Sequence, residues 1–165
     1  MIDLAAWLAS LPLVLDGHGH AIPRPHAAVA TIVEAANASP SPLLFAAWLD
    51  VLAAHESGYR PSAAGDCPGL AAGSRECTRD RGAHACGAWQ GLCAALPPKA
   101  TPLNQALLAV HDLVRAIAVC PEHPLWAYAS GHCARTAVAV RYEADVAREL
   151  AASIPVDGIV ANRGE

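Results

Sequence analysis

Among the side chains able to do chemistry, Glu56 stands out, in the stretch His55-Glu56-Ser57-Gly58-Tyr59. It follows an almost uncharged run, Leu43 to Ala54, in which Asp50 is the only charge. A carboxyl at the end of such a run is expected to be partly desolvated, which disfavours its ionised form. If the run is helical, the unpaired carbonyls of the helix end act on Glu56 in the same direction. Both effects raise its pKa towards the range of a general acid working near neutral pH. The competing reading is a solvated glutamate on a fraying helix end. His18 and His20 are spaced by one glycine, but two imidazoles on a connector do not make a metal site, and no metal or cofactor is expected.

The elements that must position Glu56 follow from local signals. Ser41-Pro42 reads as a helix start, with a capping hydroxyl and proline at the first helical position, and Gly58 as its stop. A helix apolar on nearly all sides belongs in a core. A preceding helix is expected from His26 to Asn37, with Val29, Ile32, Val33 and Ala36 on one face. The run from Met1 to Leu15 is read as a first helix, buried or amphipathic, followed by a polar connector from Asp16 to Pro25. Asp3 replaces the basic start of a signal peptide, Gly17 to Ala21 is a poor cleavage site, and the run is too short to span a bilayer. Tyr59 to Ala85 has no sustained period, and its glycines mark turns. Gly87 to Leu96 reads as a turn and short helix. Thr101-Pro102 begins a long helix to about Val119, whose expected inner stripe is Leu103, Leu107, Val110, Val114 and Ile117. A short helix runs from Pro124 to Gly131. A last helix runs from Cys133 to about Ser153, with Val138, Tyr142, Val146 and Leu150 as its core face.

At 165 residues the chain is long enough for one domain with a proper core. With 54% hydrophobic and 16% charged residues it is not disordered, and the scarcity of aromatics favours a mainly helical fold. A net charge of −4 gives no footprint for nucleic acid or for an anionic membrane. The six cysteines, Cys67, Cys77, Cys86, Cys93, Cys120 and Cys133, suit three disulfides and an oxidising destination. Cys120–Cys133 is the expected pair, with two further bridges inside the glycine-rich segment. A zinc site using Cys67, Cys77, Cys86 or Cys93 with His84 is the rival, weakened by the lack of any C-x-x-C pair.

Four motifs in order resemble the lytic transglycosylase and goose-type lysozyme superfamily: Glu56-Ser57 followed by aromatic Tyr59, Gly87-Ala88-Trp89-Gln90, Ala127-Tyr128-Ala129-Ser130-Gly131, and a final helix carrying Tyr142. The likeness spans about Ser41 to Leu150. Trp89 stands at a methionine position of the family, and Ala129 at its asparagine. The resemblance implies an α+β lysozyme-like fold, a helical domain around a buried central helix, with a cysteine-rich loop or small β-flap lining a cleft. It divides the single domain into an N-terminal helical extension (1–40), a catalytic core (41–153) and a tail (154–165). It implies cleavage of the β-1,4 bond between N-acetylmuramic acid and N-acetylglucosamine in peptidoglycan, with Glu56 as general acid and then base. Gln90, Tyr128, Tyr142 and Trp89 would contact substrate, although Trp89 suits a core role better than stacking on sugar. Asp80 or Asp66 could be a second carboxylate. The partners implied are glycan strands of the periplasm or cell exterior; without a signal peptide, a wall enzyme would reach them through a phage particle, a secretion assembly or lysis. The alternative is a lysozyme-like domain that binds wall glycan, or is built into such an assembly, without cutting.

Overall fold

The computed structural model describes residues 2–65, 78–79 and 82–152. Among these the fold is mainly helical with two small antiparallel sheets. Helix α1 spans Leu4–Ser10. Asp3 caps it, its Oδ1 accepting from the amides of Ala5 at 3.0 Å and Ala6 at 3.1 Å. The helix stops well short of Leu15, correcting the sequence expectation, because Leu11 precedes Pro12 and is held extended. The chain then forms a hairpin, β1 (Val14–Leu15) against β2 (Ala21–Ile22), where a plain connector was expected.

Helix α2 (His26–Asn37) has the expected bounds and buries Ile32, Ala35 and Ala36. Helix α3 (Pro42–Ser57) is the centre of the molecule, with every residue from Phe45 to Ala54 buried. It packs against α2, β1 and the two later helices α4 (Pro102–Val119) and α6 (Ala137–Ala152). Pro42 starts α3 as expected, but the Ser41 hydroxyl makes no capping bond. Gly58 ends it at φ 61°, a left-handed conformation that glycine adopts without strain. The amides of Gly58 and Tyr59 close the end on the carbonyls of Ala54 and Ala53.

A three-stranded sheet follows, β3 (Ala64–Gly65), β4 (Ala85–Cys86) and β5 (Gly91–Leu92), paired in chain order. The short helix expected before Leu96 is only a 3-10 turn at Cys93–Ala95. Thr101 and Asn104 cap α4 reciprocally. The inner face of α4 meets expectation in part, with Val110 buried and Leu103 and Ile117 packed against the core. Leu107 and Val114 are 39% and 42% exposed, and the buried residues are Gln105, Ala106, Ala109, Val110, Leu113 and Ala116. Alanines form the contact because α4 lies close against both α2 and α5 (Pro124–Ser130), where larger side chains would hold the helices apart. Helix α6 begins at Ala137, not Cys133, and buries Ala139, Tyr142, Asp145, Val146 and Glu149. Val138 is 38% exposed. Each four-residue step advances a helical face by about 40°, so a row at that spacing drifts off the core.

Disulfides join Cys86 to Cys93 and Cys120 to Cys133. The first pairing rules out the zinc reading for those two cysteines. The second ties the end of α4 to the segment before α6, with α5 between. Cys67 and Cys77 lie outside the described residues. The two bridges suit an oxidising compartment such as the periplasm or cell exterior. No single helix among the described residues is long and apolar enough to cross a membrane.

A charged cluster is sealed within the fold. Asp50, fully buried on α3, accepts from Arg24 Nε at 2.5 Å and from the Tyr59 hydroxyl at 2.7 Å. Arg24 also donates to Glu149 Oε1 at 2.6 Å and to the carbonyl of Pro12. Burial would depress the Arg24 guanidinium, but the negative charges of Asp50 and Glu149 outweigh it and its pKa is raised. Burial, reinforced by the charge of Asp50, pushes the Glu149 carboxyl up to about 9. Its second oxygen is buried without a hydrogen-bond partner, consistent with a carboxyl that resists ionising.

Candidate functional site

Glu56 occupies the last turn of α3, half-buried, where the helix meets the surface. It lines a cleft of about 760 Å³ together with Arg60, Gln90, Asp112, Arg115 and Tyr128. Behind it, the Tyr142 hydroxyl donates to Glu56 Oε1 at 2.6 Å. The i, i+4 row that put Tyr142 on the core face of α6 therefore also carries it to the end of α3. Burial, and then the negative charge of Glu56, push the Tyr142 phenol well above its usual range. The same causes, in the same order, raise Tyr128. Burial thus favours the protonated phenol, and Tyr142 as donor orients the Glu56 carboxyl.

A second layer steadies this pair. His55 presents its ring edge-on to Tyr142, with centroids 5.1 Å apart at 72°. Its Nε2 lies 2.7 Å from Asp145 Oδ2. A carboxylate only accepts, so Nε2 carries the hydrogen. Arg148 binds the other Asp145 oxygen at 2.6 Å. The chain of contacts from Arg148 through Asp145, His55 and Tyr142 to Glu56 joins α6 to the end of α3.

The Gly87-Ala88-Trp89-Gln90 turn is bolted to the same helix end. Ser57 donates to the Ala88 carbonyl at 2.9 Å, and its oxygen accepts the Arg60 amide at 3.0 Å. Gln105 accepts from the Ala88 amide at 3.0 Å and donates to Pro61 O at 3.0 Å. Trp89 is 2% exposed and its indole donates to Leu49 O at 2.8 Å, so most of it fills core, and what remains lines the cleft. Tyr128 donates to Trp89 O at 2.9 Å, which commits its proton to the turn. Gly87 has φ 83°, and a Cβ there would lie 2.4 Å from Gln105 Oε1. Gln90, itself at φ 48°, donates to Gly87 O at 2.8 Å.

Glu56, Gln90 and Tyr128 thus share one cleft, and Tyr142 supports Glu56 from beneath it. Asp66 and Asp80, the candidate second carboxylates, lie outside the described residues. Of the described carboxylates, Asp112 joins Glu56 on the cleft wall. Sequence reasoning missed Gln105, Asp112, Arg115 and the His55–Asp145 pair. Gln105 left no distinct signal, because Asn104 beside it is also an amide. The arrangement can hold an oriented carboxyl in an open groove beside an amide and two guanidinium groups, which suits proton transfer to a polar, elongated ligand. The chain matches no protein-family profile, no curated protein and no solved structure.

Proposed function

We propose that this protein is a lysozyme-like glycosidase that cleaves the β-1,4 bond between N-acetylmuramic acid and N-acetylglucosamine in peptidoglycan. The observation that carries the reading is the Glu56–Tyr142 pair at the end of a buried helix, opening onto a groove that also receives Gln90. The motif resemblance supports it independently, because its four segments are the ones that meet around Glu56. Glu56, protonated, gives its proton to the leaving glycosidic oxygen. Positive charge at the anomeric carbon is then met by the N-acetyl oxygen of the substrate, a recognised departure from the two-carboxylate scheme. Glu56, now ionised, takes a proton from the attacking group. Attack by the sugar's own C6 hydroxyl yields a 1,6-anhydro end and makes the enzyme a lytic transglycosylase, whereas attack by water makes it a lysozyme.

Digestion of purified peptidoglycan, with products read by mass, tests this. Wild type should release anhydromuramyl or reducing muramyl ends, and Glu56→Gln should lose about 10²- to 10⁴-fold in rate. Binding of glycan by both proteins without release of products would instead assign a non-cutting glycan-binding or structural role.

A further inference from the structure

The cleft does not end at Glu56. A second hollow of about 400 Å³ lies on the other side, between the end of α3 and the β1–β2 hairpin. His18, Glu56 and Arg60 line both hollows, so the two meet at the carboxyl. The far wall is Asp16, Gly17, His18, Ile22 and Pro23, all outside the stretch that carries the family resemblance. We propose that the β1–β2 hairpin is a saccharide-binding wall, so that a glycan strand of several sugars threads past Glu56 and its far side is held by His18 and Asp16.

Three observations support this. The hairpin is seated, since a Cβ on Gly17 would lie 2.6 Å from His55 O and only glycine permits that approach to the end of α3. Its turn is tied, since Asp16 Oδ1 accepts from the amides of His18 and His20, both at 2.8 Å. Those amides, that of His20 foremost, hold the Asp16 carboxyl below its usual range, which favours the accepting carboxylate. The hollow also mixes apolar surface from Ile22, Pro23 and Ala54 with polar groups from Asp16, His18 and Arg60. That mixture matches a pyranose, which has apolar faces and hydroxylated edges. Two hollows meeting at one carboxyl suit a linear polymer better than a small molecule, which one hollow would contain.

The inference rests on the glycosidase reading, and one experiment separates their failures. The full chain carrying Glu56→Gln is titrated with peptidoglycan glycan fragments of two, four and six sugars, and backbone amide signals are followed by NMR. The longer fragments should shift Gly17, His18 and Ile22 as well as Gln90. Adding His18→Ala should weaken binding of the longest fragment about tenfold and that of the shortest by clearly less. Shifts at Gln90 with a silent hairpin, or equal weakening for every length, would overturn the hairpin wall and leave the glycosidase reading standing. No shift in either hollow with any fragment would overturn both.

Discussion

The Glu56 carboxyl is oriented by the Tyr142 phenol, whose burial favours the protonated, donating form. Replacing Tyr142 by Phe removes one hydrogen bond and no bulk. Turnover of peptidoglycan should fall about 10²-fold through lost orientation. Stability should fall by only about 1 kcal/mol, measured by urea unfolding. A loss of activity matched by an equal loss of folded protein would assign Tyr142 to packing alone. Gly87 makes a different residue-scale demand. Its positive φ and its closeness to Gln105 leave no room for a methyl group, so Gly87→Ala should destabilise by about 1–3 kcal/mol and displace Gln90. Thermal denaturation reads the first effect, and the weakened binding of glycan fragments by the folded fraction reads the second.

At the scale of elements, the signals that proved legible were local ones. The bounds of α2 and α3, the Thr101 cap and the glycine stops at Gly58 and Gly131 depend on residues a few positions apart, and the chain states them directly. The hairpin β1–β2 was not legible because its strands have two residues each, too few for any alternation to register. The face of α4 was legible only in part, since Leu107 and Val114 are exposed while Ala106, Ala109 and Ala116, small residues that carry little hydrophobic signal, are buried beside Val110 and Leu113. Glu56, Gln90 and Tyr142 could be named from the motifs, but the Ser57 and Gln105 bonds that join them are long-range contacts with no local trace. The Cys120–Cys133 bridge was anticipated from its position flanking α5. It closes a segment of 13 residues, so its reduction should cost roughly 3 kcal/mol. Calorimetry of a Cys120→Ser/Cys133→Ser variant checks this, and an unchanged melting temperature would refute it.

For the molecule as a whole, the sealed cluster of Arg24, Asp50, Tyr59 and Glu149 sets a pH dependence. Glu149 sits near 9 in the folded protein against an ordinary value of 4.5. The native state therefore binds more protons than the unfolded one across that interval, and stability must fall as pH rises through it. The contribution is complete below pH 4.5 and is lost as pH climbs towards 9. Glu149→Gln removes the titration while keeping the shape, so the decline in melting temperature between pH 5 and 9 should flatten relative to wild type. Parallel curves for the two proteins would place the pH dependence elsewhere. The partners of Arg24 lie 26 and 125 residues away, which is why nothing in the sequence announced the cluster. The same separation has a consequence in time. Tyr142, Asp145 and Glu149 all belong to α6, the last helix of the described fold. A nascent chain still held by the ribosome before α6 emerges has Arg24 and Asp50 without Glu149, and Glu56 without its phenol. The phenol that orients Glu56 is therefore synthesised after every residue that lines the cleft, and the carboxyl gains that support only when α6 docks.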